Sequence, residues 1–248
     1  MNSIQSALAF GCIGIVLGGC ATARTTIVNT SPGQTIATAP ITNAAPTGLF
    51  AGGSTSDLSC SSLGSLGSSY DTAIRGDALD PALFDRAILH FTNEQRCANG
   101  LSPLQTDRGL QSAATGHSQD MARLDFFDHN SPVPGKTKFV DRLRQEGVSF
   151  TAAAENLGRN SVLGIDSGRP FFVIDRPTCQ FSYEQGGTPI APHTYRTLAR
   201  EMVTSWLNSP GHRENLLGAQ YTRLGSGGAF KENSRSCGDI VATQKFAA

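Results

Sequence analysis

The sequence has no excess of charge of either sign and no run of basic residues. Its 248 residues contain 20 Lys and Arg against 20 Asp and Glu. Proteins that bind nucleic acid neutralise phosphates with a cationic face, so this composition argues against nucleic acid as a partner. With 39% hydrophobic and 16% charged residues, the chain suits one medium-sized domain with appended segments.

The sequence also lacks an apolar run long enough to cross a bilayer and the motif of an activated serine. Residues 7–19 are uncharged and mostly apolar, but a transmembrane helix needs about 20 such residues. The length of this run suits the h-region of a signal peptide. No Gly-x-Ser-x-Gly pattern occurs, so no serine is marked as a nucleophile.

The apolar run ends in Leu17-Gly18-Gly19-Cys20, which resembles the lipobox of bacterial lipoproteins. In that class the signal peptide is removed before the cysteine, which is acylated and anchors the protein. The resemblance predicts a signal peptide over residues 1–19, a lipidated Cys20 and a place in the cell envelope. Ala21 follows the cysteine, and by resemblance to diderm lipoproteins this favours the outer membrane. The preceding MNSIQS carries no Lys or Arg, and an ordinary signal peptide with a chance cysteine is the alternative.

Residues 20–78 are rich in Ser, Thr, Gly, Ala and Pro and poor in large apolar side chains. Such segments bury too little surface to repay the entropy of ordering. We interpret this segment as a flexible tether that holds a folded domain, residues 79–248, away from the membrane.

The periodicity of apolar residues predicts five helices in the folded domain. They begin at Asp80-Pro81, near Asp107, near Lys138, near Thr194 and after Ser209. Strands are predicted within residues 170–175, 221–230 and 238–246, whereas residues 151–158 are predicted to be a loop. Helices followed by a strand hairpin indicate an α+β fold with helices packed on a small antiparallel sheet.

Three glycines in the first strand of that hairpin, Gly225, Gly227 and Gly228, lower its strand propensity. They indicate a bulge or a close backbone approach.

The segment WLNSPGHRENLL, residues 206–217, predicts a sharp corner between two helices. Proline ends the first helix and can begin the second, with Ser209 as N-cap and Pro210 in the first turn. His212 would then lie near the positive end of the helix dipole, which disfavours its protonated form. A neutral ring of this kind can accept a proton or bind a cation. A structural, hydrogen-bonded histidine in a tight corner is the alternative.

The motifs NEQRCANGLSPL, HSQDMARLDFFDHNSP, AENLG, MVTSWLNSPGHRENLL and ATQKFA occur in this order and cover most of residues 79–248. Together they resemble the CAP superfamily of cysteine-rich secretory proteins, antigen 5 and pathogenesis-related 1 proteins, specifically its bacterial branch. The resemblance implies an α–β–α sandwich with a surface cleft lined by two histidines and acidic residues. Residues 159–193 form a longer connection than is usual in the family and are predicted to be an insertion over or beside the cleft.

By the same resemblance, His129 and His212 are the two cleft histidines and Glu155 is the acid of the AENL segment. Eukaryotic members have a further glutamate where this chain has Ser209, so a full His/Glu tetrad is not implied. His117 could join the cleft, but its apolar neighbours along the helix favour a core histidine.

Two imidazoles and a carboxylate with an open position would suit a divalent metal such as zinc, with His129, His212 and Glu155 as ligands. They would equally serve as a general base with an orienting partner. The family has been linked to protease, lipid-binding and signalling roles, with no shared reaction. We therefore expect a membrane-tethered binding or interaction module, whose ligand is a lipid or an envelope protein. A metal-assisted, protease-like hydrolase that uses the same three residues is the alternative.

Six cysteines are present, of which Cys12 would leave with the signal peptide and Cys20 would be lipidated. An even number of remaining cysteines in an exported chain favours disulfides. Four cysteines allow three pairings, and their placement favours one of them. Cys60–Cys97 would pin the tether to the first helix, and Cys179–Cys237 would hold the insertion to the sheet.

Overall fold

Five α-helices and six strands make up the part of the chain that the structure describes. The structure is a computed structural model, and it describes residues 59–75, 78–166, 168–233 and 236–248. The helices are α1 (Pro81–Ala98), α2 (Arg108–Arg123), α3 (Phe139–Gln145), α4 (Tyr195–Asn208) and α5 (Pro210–Leu216). The strands are β1 (Gln105–Thr106), β2 (Ala153–Ser161), β3 (Phe172–Asp175), β4 (Gln180–Ser182), β5 (Arg223–Lys231) and β6 (Asp239–Ala247).

The predicted signal peptide, the lipidation site Cys20 and the tether up to residue 58 lie outside the described residues. Among the residues that are described, no helix is both long enough and apolar enough to span a bilayer.

The helices begin close to where the sequence predicts, and Asp80 and Asp107 make the expected capping hydrogen bonds, whereas the side chain of Ser209 makes none. The carboxylate of Asp80 accepts hydrogen bonds from the backbone N–H groups of Ala82 and Leu83, at 2.8 and 3.0 Å. Asp107 accepts one from the backbone of Leu110 at 3.0 Å. Side-chain acceptors at these positions satisfy N–H groups that the first turn of a helix leaves unpaired.

The main sheet has the strand order β1-β5-β6-β2. The pairs β5–β6 and β2–β6 are antiparallel along their whole length, whereas the short β1 runs parallel to β5. Strands β3 and β4 form a separate hairpin. The α+β fold class is confirmed, but the prediction of a loop over residues 151–158 is wrong, because most of this segment belongs to edge strand β2. Alanine has a low strand propensity, so the pairing with β6 decides the conformation of this alanine-rich segment.

Both faces of the main sheet are apolar, and helices cover each of them. On one face, Ile240, Ala242 and Phe246 of β6 belong to the largest core cluster, together with buried residues of α1 and α4. On the other face, Val241 packs with Met121 of α2 and Ala247 packs with Leu110 of the same helix. Consecutive strand residues point to opposite faces, so β6 contributes to both layers. The result is an α–β–α arrangement.

The glycines of β5 allow helix α2 to lie directly on the strand. A Cβ atom added at Gly225 would lie 2.1 Å from the backbone nitrogen of Gln111, and one at Gly227 would lie 2.2 Å from that of Thr115. Neither distance is sterically possible without moving the backbone of α2. The close backbone approach that these glycines predict is therefore confirmed.

Residues 59–75 pack against the domain, although the sequence places them in the tether. Ile74 is buried and its N–H donates to the carbonyl of His193 at 2.7 Å. Asp71 forms an ion pair with Arg196 of α4. The disulfide Cys60–Cys97, which the sequence favours, joins the start of this segment to α1. Residues 59–75 therefore belong to the packed part of the chain.

The insertion over residues 159–193 begins inside β2 and contains the β3–β4 hairpin. Its two ends are held together by a bridge between Leu163 and Pro192. The second favoured disulfide, Cys179–Cys237, is also present and joins the hairpin to the β5–β6 connection.

Candidate functional site

The two predicted cleft histidines lie on segments that contact strand β2 from its two sides. His129 belongs to the α2–α3 connection, and His212 belongs to α5. The side chains of Glu155 and Asn156 point to opposite faces of the sheet because these residues are neighbours on β2. Glu155 contacts His129, and Asn156 contacts the backbone of His212. A pair of adjacent strand residues therefore positions both histidines.

The carboxylate of Glu155 is fully buried and is surrounded by hydrogen-bond donors. Arg142 of α3 donates to both carboxylate oxygens, at 3.0 and 2.9 Å. Lys245, opposite Glu155 on β6, donates to Oε2. Nδ1 of His129 lies 2.9 Å from Oε1. Both cationic side chains are themselves buried, so the three charges form a network closed off from solvent.

This network keeps Glu155 ionised. Burial alone would raise the pKa of Glu155, but the Lys245 ammonium, the hydrogen bond from His129 and the Arg142 guanidinium together hold the pKa well below its ordinary range. Burial lowers the pKa of Lys245 to about 8, although the attraction of Glu155 opposes this shift. Lys245 therefore remains protonated at neutral pH. Two buried cations face one buried carboxylate, so the network carries a net positive charge beneath His129.

The ring of His129 is oriented by this network. An ionised carboxylate can only accept, so Nδ1 of His129 carries the proton that it donates to Glu155. Nε2 then has the free lone pair, and the side chain is 39% exposed. Arg142 also donates to the backbone carbonyls of His129 and Lys136, at 2.9 and 2.8 Å. One guanidinium thus holds both the carboxylate and the loop that carries the histidine.

His212 lies in the short helix that the sequence predicts, after N-cap Ser209 and Pro210. Burial and the electrostatic effect of the nearby His129 lower the pKa of His212, in the predicted direction. The neutral form of the His212 ring is therefore favoured, and the effect of His129 indicates that the two side chains lie in one site.

Buried amide side chains attach α5 to the sheet. Nδ2 of Asn156 donates to the carbonyl of His212 at 3.2 Å and to Oε1 of Gln244 at 3.1 Å. Gln244 in turn donates to the hydroxyl of Thr92 in α1 at 2.9 Å. Asn215 of α5 donates to Oδ1 of Asn156 at 2.9 Å. These bonds couple the position of His212 to α1 and β6.

His117 is fully buried and does not line the cleft. It is the core histidine that its apolar neighbours along the helix favour. Its Nε2 lies 3.0 Å from the carbonyl of Asp128, directly before His129 in the chain. Burial lowers the pKa of His117 to about 4, so the ring is neutral. Its role is to support the loop that carries His129.

The arrangement of the described residues does not support the predicted metal site of His129, His212 and Glu155. No group of three or more His, Cys, Asp or Glu side chains in the described ranges could hold a metal ion. Glu155 cannot serve as a ligand because its oxygens already accept from Arg142, Lys245 and His129. The net positive charge of this network further disfavours a divalent cation beside it.

Sequence reasoning missed Arg142, Lys245, Asn156, Asn215 and Gln244 as parts of the site. Lys245 offered a usable signal, because a lysine within a strand of alternating buried residues requires a buried partner of opposite charge. The two amide networks carry no comparable sequence signal.

The comparisons with known proteins agree with this architecture. The family model described as "CAP: Cysteine-rich secretory protein family" matches residues 89–246. The chain therefore belongs to the CAP family of cysteine-rich secretory proteins.

Its curated relatives are bacterial. The chain is 29% identical over 144 residues to the uncharacterised protein YkwD of Bacillus subtilis (strain 168), covering 58% of this chain and 42% of that protein. It is 31% identical over 170 residues to the uncharacterised membrane protein YlbC of the same strain, covering 64% of this chain and 38% of that protein. The match thus spans about two fifths of the length of each relative.

Solved structures of bacterial proteins also resemble this chain. An extracellular SCP-domain protein of Bacillus anthracis is 27% identical, with a TM-score of 0.44, and the match covers 66% of this chain and 40% of that one. An outer surface protein of Borrelia burgdorferi is 17% identical, with a TM-score of 0.45, and the match covers 70% of this chain and 100% of that one.

Proposed function

We propose that this protein is an extracytoplasmic, lipid-anchored CAP-domain module that binds a ligand between His129 and His212 without chemical turnover. Membership of a family of secretory proteins and the disulfides Cys60–Cys97 and Cys179–Cys237 support a place outside the cytoplasm. The lipobox-like sequence ending in Cys20 supports a lipid anchor in a bacterial envelope, on the outer membrane.

The observation that carries this proposal is the engagement of Glu155. Glu155 itself could act as a general base or a metal ligand only with an available lone pair near the ligand. Glu155 is instead buried and satisfied by Arg142, Lys245 and His129. Its contribution is to orient the His129 ring, and the two cleft imidazoles can form hydrogen bonds with a ligand. The arrangement therefore does not support a hydrolase in which Glu155 is the base or a metal ligand.

An apolar ligand such as a lipid fits the surroundings of His129. Leu124 and Phe127 lie a few residues before it in the same connection, and they are 40% and 46% exposed. Exposed large apolar side chains next to a few fixed polar groups are typical of a surface that binds an amphipathic molecule.

The test combines binding with turnover. A fluorescent fatty acid serves as the probe, and peptide and ester substrates are assayed with and without added zinc. We expect saturable binding that His129→Ala and His212→Ala weaken. His90→Ala, which replaces a histidine of α1 outside the cleft, should leave the binding unchanged. Hydrolysis that depends on zinc and disappears in His129→Ala would contradict the proposal and favour the hydrolase. Equal binding by all four proteins would remove the cleft as the ligand site.

A further inference from the structure

The insertion presents three consecutive apolar side chains to solvent. On β3, Phe172 is 49% exposed, Val173 is 48% exposed and Ile174 is 42% exposed. Exposed apolar residues that occur singly are ordinary, but a contiguous group of this kind indicates an interaction surface. We call these three residues the β3 ridge.

The hairpin is held rigidly, so the β3 ridge cannot bury itself by a local movement. Val173 pairs across the hairpin with Phe181, which is completely buried in the largest core cluster. The rings of Phe171 and Phe181 pack edge to face, 5.4 Å apart. The disulfide between Cys179 and Cys237 joins the hairpin covalently to the main sheet.

The shape of the β3 ridge favours a fluid partner. Phe172 and Val173 are consecutive in a strand and point to opposite faces, and Ile174 lies at a bulge in the pairing. A folded protein surface would cover one face of such a ribbon and leave the other in water. The acyl region of a bilayer can surround both faces at once.

The flanking residues suit the interface of a bilayer. Arg169 and Arg176 bracket the apolar stretch in the sequence. The guanidinium of Arg169 lies 3.7 Å from the centroid of the Tyr183 ring and also pairs with the exposed Asp166. Arginine and tyrosine beside an apolar segment place polar groups at the level of the lipid headgroups, and anionic headgroups attract the guanidinium groups.

The chain outside the described residues reaches far enough for this contact. The described chain starts at the C-terminal end of α1, where Cys60 bonds to Cys97. The N-terminal end of α1 lies near the end of β5, because Leu79 and Phe84 are close to Gly228. The β5–β6 connection follows that end of β5, and its Cys237 holds the hairpin through the disulfide to Cys179. A helix of 18 residues is about 27 Å long. The 38 residues from Ala21 to Leu58 are enough to span this length, since a chain can reach about 3.3 Å per residue.

We propose that the β3 ridge docks on the surface of an anionic lipid bilayer, as a second membrane contact besides the anchor. This inference rests on the proposed lipid anchor at Cys20, which would keep the domain within reach of the membrane. A single weak contact becomes effective under these conditions because the anchor raises its local concentration.

The experiment places a tryptophan on the β3 ridge of the full chain. The Val173→Trp protein is mixed with excess vesicles of phosphatidylglycerol and phosphatidylethanolamine that carry brominated acyl chains. The control is Glu94→Trp, an exposed position on α1 that lies outside both the insertion and the cleft, and the native Trp206 is buried in both proteins. We expect the emission of Val173→Trp to shift to the blue and to be quenched by bromine, and that of Glu94→Trp to remain unchanged.

The proposal is overturned if position 173 shows no quenching, or if both positions are quenched equally. Emission that depends on protein concentration, without quenching, would indicate that a second copy of the chain covers the ridge, and this also overturns it. Co-sedimentation of the unlabelled chain with the vesicles, together with fatty acid labelling of Cys20, tests the anchor separately. Because the vesicles are in excess, quenching reports docking whether or not the anchor is present.

Discussion

Asp85 should make the protein less stable at neutral pH than at mildly acid pH. This side chain of α1 is buried, and its carboxylate accepts a hydrogen bond from the backbone N–H of Ser226 at 2.6 Å. Thr106 provides a weaker contact at 3.5 Å. Burial raises the pKa of Asp85 from 3.8 to about 6, and these hydrogen bonds offset only part of the effect.

The sign and the size follow from the difference in pKa between the folded and unfolded states. Between pH 4 and pH 6 the folded state binds more protons than the unfolded state, so the free energy of unfolding falls as the pH rises. Raising the pKa of Asp85 from 3.8 to about 6 on folding corresponds to about 3 kcal/mol above pH 6. Most of this, about 2 kcal/mol, should be lost between pH 4 and pH 7.

The variant Asp85→Asn isolates this contribution from other titrating groups. Its amide oxygen can keep the bond from Ser226, and its amide nitrogen can donate to Thr106. Urea unfolding of both proteins at a series of pH values gives the difference in their free energies of unfolding. We expect this difference to shift in favour of the variant by about 2 kcal/mol from pH 4 to pH 7. If the difference in the free energy of unfolding stays constant from pH 4 to pH 7, folding does not raise the pKa of Asp85, and the reasoning is refuted.

Four further outcomes are expected. Gly227→Ala should lower the free energy of unfolding by at least about 2 kcal/mol, because its Cβ would meet the backbone of α2. Gly116→Ala, within α2 and with open space around it, should raise the free energy of unfolding by about 0.5–1 kcal/mol. Equal effects of the two variants in thermal unfolding would refute the close approach of α2 to β5. Lys245→Met should lower the free energy of unfolding by about 3 kcal/mol at neutral pH, since Glu155 loses a buried partner. Lys138→Met, at an exposed position, should have little effect, and comparable losses in the two variants would contradict the role of Lys245. Acid should destabilise the parent as the pH falls below the ordinary range of glutamate, because the pKa of Glu155 is lowered and its stabilisation is lost on protonation; Glu155→Gln should flatten that part of the profile. Removing either disulfide by a Cys→Ser pair should cost up to about 4 kcal/mol for loops of 37 and 58 residues; an unchanged denaturant midpoint would contradict this.

The helices and the cysteine pairs could be predicted from sequence because their causes are local or few in number. Asp80 caps α1 through its own next two residues, and Pro81 suits a first turn wherever it occurs. Four cysteines allow three pairings, so placement along the chain was enough to favour one. The close approach of α2 to Gly225 and Gly227 could also be predicted, because glycine weakens a strand and indicates a bulge or a close backbone contact there.

Strand β2 and the charge network could not be predicted in the same way. The segment over residues 151–158 has weak strand propensity, and most of it is extended because β2, residues 153–161, pairs with β6 along all nine of its residues. The partners of Glu155 come from α3 and from β6, with Lys245 ninety positions away in the chain. The role of Glu155 is set by what the fold packs around it. The sequence by itself therefore determined that His129, Glu155 and His212 belong to one cleft, through the family motifs and their order. Only the tertiary structure decided that the carboxylate is neutralised and closed off, because burial and charge pairing depend on residues that are distant along the chain.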